Sequence, residues 1–168
     1  KILIDNYLSS DTIEKPRQIW WKIRPHMDFG TIEFRICDVQ RSLKNVEMIT
    51  AISQALVYQA SKDLDNRCLL ESFNMEYLND GLWKATRFPL TSQMIDPETN
   101  TVCTLIDQIN KMKAYIKDAL KYWNNQHINK YIDSILKNGT EGDQQVKVYE
   151  ESGFQSLNKY LMKSVEYK

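Results

Sequence analysis

The chain has 168 residues, of which 42% are hydrophobic, and its 22 basic and 22 acidic side chains give a formal net charge of zero. This length suits one domain of roughly 100–200 residues and argues against two large independent ones. A neutral chain lacks the basic excess that attracts proteins to nucleic acids or anionic membranes. We therefore expect neither nucleic acid nor a membrane as a partner.

The glycine and cysteine counts exclude several kinds of site. The chain has five glycines, where average usage of about 7% would give roughly twelve, so neither a Walker loop nor a dinucleotide fingerprint can be assembled. Cys37, Cys68 and Cys103 are far apart, which argues against a zinc site or a disulfide framework and favours a reducing compartment. No apolar run approaches the ~18 residues of a membrane span. We expect a soluble, cytoplasmic protein and, because the chain begins with Lys1, a piece of a longer one.

Two strands are predicted near the start of the chain. Residues 1–17 are interpreted as a connection. Residues 19–24 and 31–37 alternate with period two and are rich in β-branched and aromatic side chains, which is typical of strands. The residues between them contain Pro25 and Gly30 and suit a chain reversal.

Helices are predicted for most of the remaining chain. From Ser42, a plausible N-cap, apolar residues recur every three or four positions, which indicates an amphipathic helix. A second helix is expected at 69–88, interrupted near Gly81, and a small hairpin or turn at 94–102. Further helices are expected at 104–123, 127–136, 143–150 and 154–165. The helical aromatics Trp83, Tyr115 and Trp123 are expected in the core.

This order of elements predicts an α+β fold in which a small antiparallel strand pair precedes a mostly helical bundle. A two-stranded hairpin alone is marginally stable in water. The strands from about 19 to 37 are therefore expected to belong to a larger sheet, and the chain is expected to be helical from about 42.

Charged side chains gather on one face of the predicted strand pair. Strand alternation places Glu33 and Arg35 on the same face, and the first strand adds Lys22 and Arg24. One interpretation is a solvated sheet face with cross-strand ion pairs. The other is the floor of an active site, where a carboxylate holds a divalent metal and guanidinium groups hold phosphate or carboxylate oxygens. His26, in the predicted loop, is a further candidate ligand contact.

A family resemblance adds to this pattern. Residues 19–26 read IWWKIRPH and residues 30–38 read GTIEFRICD, which resembles the signature of the type 2 glutamate–cysteine ligase family, the bacterial carboxylate-amine ligases. The likeness continues through 54–56, 83–88 and 95–97 and into the segment after Gly153. It implies a fold related to glutamine synthetase, with residues 1–168 as a single C-terminal segment of the catalytic domain that requires an N-terminal half outside this sequence.

The resemblance also implies an activity. The family's reaction activates the glutamate side-chain carboxylate with ATP and Mg²⁺ as an acyl phosphate, which the amine of cysteine or another amine then attacks, as in glutathione biosynthesis. It implies Glu33 as a metal ligand, Arg35 and Arg24 as catalytic residues, and, with those two arginines, Arg87 and His26 as phosphate or substrate ligands.

Some of the family pattern differs here, and a second hypothesis stays open. An acidic residue is usual in the family where Lys22 stands, and a glycine where Pro89 stands. We expect the isolated chain to be inactive, since one metal carboxylate cannot hold a magnesium nucleotide. The alternative to an enzyme is a non-catalytic helical interaction or assembly module, and a homo-oligomer is compatible with either hypothesis.

Overall fold

The computed structural model of the chain describes residues 2–26, 28–65 and 74–163. It divides into two compact units, residues 1–39 and 40–168. The first unit contains a short helix and an antiparallel hairpin, and the second contains six helices and a smaller hairpin in its described part. This mixture confirms the predicted α+β class. That the whole chain forms one segment of a larger catalytic domain stays a prediction.

The first unit begins with helix α1, Ile2–Ser9, so the prediction of a simple connection before residue 17 is wrong. Ile4 is buried, and the Ser10 amide continues the helical bonding to the Asn6 carbonyl at 3.0 Å. Burial of Ile4 helps to stabilise this short helix.

Strands β1, Ile23–His26, and β2, Thr31–Phe34, form the hairpin of the first unit. Strand β1 begins four residues later than predicted and includes Pro25 and His26, which the sequence placed in the turn. A 3₁₀ turn over Pro16–Gln18 precedes the strand, and its end is closed by a hydrogen bond from the Ile19 amide to the Pro16 carbonyl. Ile19 is already extended, but the paired register with β2 begins only at Ile23.

The second unit is built on helix α2, Leu43–Asp65. Its start confirms the predicted boundary, since the Ser42 carbonyl accepts hydrogen bonds from the amides of Asn45 and Val46. Helix α3 is Met75–Arg87 and continues through Gly81, so the predicted interruption there is wrong. The first part of the predicted second helix, and Cys68, fall in 66–73, outside the described residues.

Strands β3, Gln93–Ile95, and β4, Val102–Thr104, form the predicted second hairpin. Buried Gly81 lies under this hairpin, because an added Cβ there would come within 2.5 Å of the Met94 side chain. The glycine thus leaves room for the end of the flexible Met94 side chain against the helix. Its role is packing and does not interrupt the helix.

The predicted helix at 104–123 is divided in two. Helix α4, Leu105–Tyr115, is capped by Thr104 and Asp107, and helix α5 is Lys117–Tyr122. Ile116 lies between them with non-helical angles, although its amide still bonds to the Met112 carbonyl. The apolar stripe continues across the break, which is why the sequence pattern did not show it.

The last two helices are α6, Ile128–Asn138, and α7, Glu141–Met162. Two predicted helices at 143–150 and 154–165 are one element with a kink at Gly153, whose φ is 72°. The prediction that Gly153 interrupts the helix was correct, because its left-handed φ lies outside the helical range.

The core of the second unit lies where α2 packs on α5 and α6. Its most enclosed side chains, each at most 1% exposed, come from these three helices and from the residue just before α5: Ala55, Ile116, Ala119, Leu120 and Ile128. The helical aromatics are not part of this enclosed set. Trp83 is 56%, Tyr115 42% and Trp123 44% exposed, so the prediction that they are core residues is wrong.

Candidate functional site

Three charged residues predicted to share a face of the hairpin do meet there. Arg24 and Glu33 are paired across β1 and β2, and Arg24 Nη2 lies 2.5 Å from Glu33 Oε2. Arg35 Nε lies 3.6 Å from the other carboxylate oxygen, Glu33 Oε1. The carboxylate therefore sits between two guanidinium groups. We call Arg24, Glu33 and Arg35 the strand cluster.

Register and backbone bonds explain why Arg35 reaches this position. The Arg35 amide donates to the Lys22 carbonyl at 2.8 Å, which continues the ladder one step past β2. Arg35 thereby keeps the same face as Glu33, two residues before it. The Lys22 side chain is exposed and makes no ion pair with any described residue, so the structure does not bring it into the strand cluster.

Arg35 keeps an unused hydrogen-bond donor. Its guanidinium lies over the Trp20 ring, 5.2 Å from the ring centre, and its side chain is 26% exposed. Within the described residues, the buried Nη1 atom has no hydrogen-bond partner. A buried guanidinium nitrogen without an acceptor is costly unless another group supplies one. This atom is the best-placed donor for an anion on the strand face.

His26 lies at the end of β1 beside a cavity. Its ring stacks on Phe29 with centres 4.4 Å apart, and its buried Nδ1 atom has no partner among the described residues. The cavity has a volume of about 440 Å³ and is also lined by Arg24. Arg24 and His26 are two residues apart in β1. Their side chains therefore point to the same side of the strand. The structure therefore brings together two of the predicted anion ligands.

The sequence did not identify the other basic residues that line this cavity. Lys15 and Arg17 line it, on either side of Pro16, and Arg24 Nη1 donates to the Arg17 carbonyl at 2.7 Å. These basic residues lie in the stretch interpreted as a connection. The run Lys15-Pro16-Arg17 was the signal that the sequence offered. A proline suits the first position of a turn, but the sequence alone does not show that a 3₁₀ turn begins at Pro16.

Arg87 is the predicted site residue for which the structure gives the least support. It is the last residue of α3, in the second unit, and its side chain is exposed. It makes no ion pair with a residue that the structure describes. Its predicted role as an anion ligand stays a prediction.

The strand cluster suits an anion better than a metal ion. Two guanidinium groups face one carboxylate, so the cluster has an excess of positive charge. Magnesium takes about six oxygen ligands, of which one carboxylate supplies at most two. Across the described ranges, no three His, Cys, Asp or Glu side chains converge as a metal-binding group. Glu33 alone does not make a magnesium site.

Comparison with known proteins identifies the family of the chain. The model of glutamate-cysteine ligase family 2 (GCS2) matches residues 3–159. The chain belongs to this family. That match includes α1, both hairpins and most of α7, and it confirms the resemblance read from the two strands.

Three individual relatives share between 27% and 39% of their residues with this chain over the matched regions. A protein of Herpetosiphon aurantiacus is 27% identical over 89% of this chain and 39% of its own length. One of Solibacter usitatus is 27% identical over 97% of this chain and 44% of its own length. One of Gloeobacter violaceus is 39% identical over 58% of this chain and 26% of its own length. All three are provisionally named glutamate–cysteine ligase 2. The chain spans about two fifths of the length of the first two.

Family membership and the strand cluster bear on the same residues. Arg24, His26, Glu33 and Arg35 all lie within the matched range of glutamate-cysteine ligase family 2. Membership of this family supports a ligase-like protein.

None of the described helices combines the length and apolar character that crossing a lipid bilayer requires.

Proposed function

We propose that the full-length protein is an ATP-dependent carboxylate-amine ligase, and that this chain supplies the C-terminal share of its active site. The reaction would join the side-chain carboxylate of glutamate to the amine of cysteine or another amine. Membership of glutamate-cysteine ligase family 2 supports the reaction class. The strand cluster supports the location, because it presents guanidinium groups on one face of a hairpin.

The proposed reaction has two steps. A glutamate side-chain oxygen attacks the γ-phosphorus of ATP, the bond from that phosphorus to ADP breaks, and an acyl phosphate forms. The amine nitrogen then attacks the acyl carbon, phosphate leaves, and the nitrogen loses a proton to give the amide. Charge accumulates on phosphoryl oxygens in the first step, so positioning and electrostatic stabilisation supply most of the catalysis.

In this proposal Arg35 and Arg24 stabilise the anionic groups. Arg35 would use its buried, unpartnered Nη1 atom to donate to a phosphate or carboxylate oxygen. Arg24 is partly committed, since its Nη1 and Nη2 atoms contact the Arg17 carbonyl and Glu33. Charge-assisted hydrogen bonds of this kind are roughly twice as strong as neutral ones. Arg87 and His26 are proposed as additional phosphate or substrate ligands.

Glu33 is proposed as one ligand of Mg²⁺, which would neutralise phosphate charge when the nucleotide is bound. The remaining oxygen ligands must come from the nucleotide and from parts of the protein outside the described residues, because the described part has no metal-binding group of three. Within this chain, Glu33 also holds Arg24 and Arg35 in place. Its replacement would therefore affect the arginines as well as the metal.

The single observation that carries the location is the unpartnered donor of Arg35. Cross-strand ion pairs on a solvated face need no further partner and stabilise by only about 0.2–1 kcal/mol. A solvated face does not explain why Arg35 Nη1 is buried without an acceptor. An anion bound on the strand face would supply that acceptor.

Acyl-phosphate trapping tests the proposed reaction. The full-length protein would be incubated with ATP, Mg²⁺, glutamate and hydroxylamine, with cysteine omitted. We expect a glutamyl hydroxamate and ADP in equal amounts, and no ADP above background without glutamate. In the complete reaction, ADP release should require an amine acceptor. If ADP release does not depend on glutamate, the protein is not a ligase of this class.

A helical assembly module remains the second candidate function, and exposed apolar residues of α7 favour it. Val146 is 56%, Tyr149 54% and Phe154 64% exposed, which is more apolar exposure than a solvated helix needs. Sedimentation of the 168-residue chain tests the assembly candidate, while hydroxamate trapping tests the ligase. A concentration-dependent dimer would support assembly, and a monomer at all concentrations would contradict it.

A further inference from the structure

The cavity beside His26 has a wall that the proposed function does not use. Its lining residues on that side, Lys15 and Arg17, come from the 3₁₀ turn before β1. Neither residue is part of the strand cluster. The cavity volume of about 440 Å³ falls in the range of roughly 300–1,000 Å³ that is typical of small-molecule sites.

The charges on this wall are free to bind a ligand. The side chains of Lys15 and Arg17 make no ion pair or hydrogen bond with any residue that the structure describes. Arg24 is paired with Glu33, 2.5 Å away, and Asp28 is the acidic residue among those that line the cavity. Lys15 and Arg17 face this single carboxylate, so the lining keeps a net positive charge.

The position of this wall is fixed by hydrogen bonds. The Gln18 side-chain oxygen accepts from the amides of Glu14 and Lys15 at 2.7 and 2.8 Å, which closes the turn. Arg24 Nη1 then holds the turn against β1 through the Arg17 carbonyl at 2.7 Å. The basic residues are thus carried by a backbone that is tied to the strand. Such preorganisation lowers the entropic cost of binding.

The rest of the cavity lining adds a buried polar atom and flat apolar surfaces. His26 Nδ1 is buried without a partner among the described residues, while the His26 and Phe29 rings stack. Pro16 and Pro25 complete the lining. This combination of cationic rim, apolar walls and one unpaired ring nitrogen is typical of sites that hold an anionic group of an organic molecule.

We infer that this cavity binds an oxyanion with at least two negative charges, held by Lys15, Arg17 and the His26 ring. Phosphate oxygens and carboxylate oxygens share the chemistry that these groups recognise. Two ligands of the proposed reaction carry such groups: the polyphosphate of a nucleotide and the two carboxylates of glutamate. The inference rests on the proposed function for the choice of these two anions and for the role of His26, and it adds Lys15 and Arg17 as ligands.

Isothermal titration calorimetry on the full-length protein tests the inference. The probes are sodium tripolyphosphate and L-glutamate, each at the same ionic strength. The variants are Lys15→Gln with Arg17→Gln, and His26→Phe, which keeps a ring against Phe29 but removes the nitrogens. Lys121→Gln, an exposed charge on α5 in the second unit, is the matched control.

We expect the double variant to raise the Kd of one probe at least about tenfold, since it removes two charge-assisted hydrogen bonds. His26→Phe should raise the same Kd, and Lys121→Gln should leave it within twofold. The probe that responds identifies the anion as a phosphate or a carboxylate. If the double variant and His26→Phe leave both Kd values within twofold, or neither probe binds saturably, the inference is overturned.

The inference and the proposed function fail in different ways. Tripolyphosphate or glutamate binding that depends on Lys15 and Arg17, in a protein that forms no hydroxamate, would retain the cavity and remove the ligase. Hydroxamate formation with binding that is insensitive to Lys15 and Arg17 would retain the ligase and remove the cavity. Lys15 and Arg17 are exposed, so their replacement should leave folding intact, which the urea unfolding midpoint would verify.

Discussion

Arg24 and Glu33 occupy paired positions of β1 and β2, and their side chains form an ion pair with Nη2 and Oε2 2.5 Å apart. The same arginine donates from Nη1 to the Arg17 carbonyl. One guanidinium thus contacts both the carboxylate of the strand cluster and the turn that carries Lys15 and Arg17.

The two contacts of Arg24 predict that lysine cannot replace it. Arg24→Lys keeps the charge, but one ammonium group cannot reproduce the two-sided geometry of a guanidinium. We expect the free energy of unfolding to fall by about 0.5–1.5 kcal/mol, which is typical of one lost hydrogen bond. Urea unfolding followed by tryptophan fluorescence would measure this, with Lys121→Arg as the control. Wild-type stability in Arg24→Lys would show that the bond to the Arg17 carbonyl contributes nothing.

Acid is predicted to weaken the second hairpin through Asp96. Burial acts to raise the pKa of Asp96, but hydrogen bonds from Lys111 and from the amides of Glu98 and Thr99 outweigh it, so the pKa lies below its ordinary value. A carboxyl group with a lowered pKa stabilises the fold above its unfolded pKa of about 3.9 and loses that contribution as the pH falls through the folded value.

Asp96→Asn isolates this effect, because the amide oxygen can still accept the two backbone bonds while the charge facing Lys111 is lost. We expect the variant to be less stable than wild type at pH 7 and the difference to shrink below about pH 4. Urea midpoints at pH 7 and pH 3 would give the comparison. A stability difference that is the same at both pH values would contradict the pKa assignment.

Alkaline pH is predicted to act on the contact between Tyr115 and Asp63. Burial, followed by the hydrogen bond to Asp63 and its negative charge, raises the pKa of Tyr115 to about 12. A raised pKa means that the stabilising contribution is complete below the unfolded value of about 10 and is lost as the pH rises toward 12. Stability should therefore decline across this window.

Tyr115→Phe removes the hydroxyl group and should reduce the part of the decline that belongs to this residue. The measurement is the thermal midpoint of both proteins at pH 9 and pH 11.5. Because Tyr115 is 42% exposed, we expect a small difference. Tyr149→Phe, an exposed tyrosine on α7, is the control. Identical alkaline declines in wild type and Tyr115→Phe would exclude the proposed contact.

The break between α4 and α5 predicts a sensitive core position. Ile116 has no exposed surface, and its side chain lies in the cluster formed by α2, α5 and α6. Ile116→Ala should lower the free energy of unfolding by about 2–5 kcal/mol, and Ile116→Val by about 0.5–1.5 kcal/mol. Equal, small losses in both variants would show that the core can close around a cavity at this position.

Part of the strand cluster could be predicted from the sequence because strand alternation has a fixed period. Glu33 and Arg35 had to share a face, and Arg24 joined them once the two strands paired. The start of β1 could not be predicted, since β-branched and aromatic residues continue back to Ile19, although the paired register begins only at Ile23.

Long-range contacts were beyond the sequence pattern. Arg41 pairs with Glu141 at 3.0 Å, and its guanidinium lies 3.8 Å from the centre of the Tyr160 ring. These residues are about a hundred positions apart, and no local periodicity relates them. The cavity lining was also beyond the sequence pattern. Lys15 and Arg17 come to line the cavity only because the turn that carries them packs against β1.

The residue-level claim about the strand cluster is tested most directly by turnover of Glu33→Ala in the full-length protein. The measurement is ADP release with Mg²⁺, ATP, glutamate and cysteine, with Lys121→Ala as the matched control. Loss of the carboxylate removes a proposed metal ligand and frees both arginines, so we predict a fall in kcat/KM of at least about 100-fold, as expected for the loss of roughly 2.7 kcal/mol of transition-state stabilisation. Turnover equal to wild type in Glu33→Ala would contradict the placement of the active site on this face.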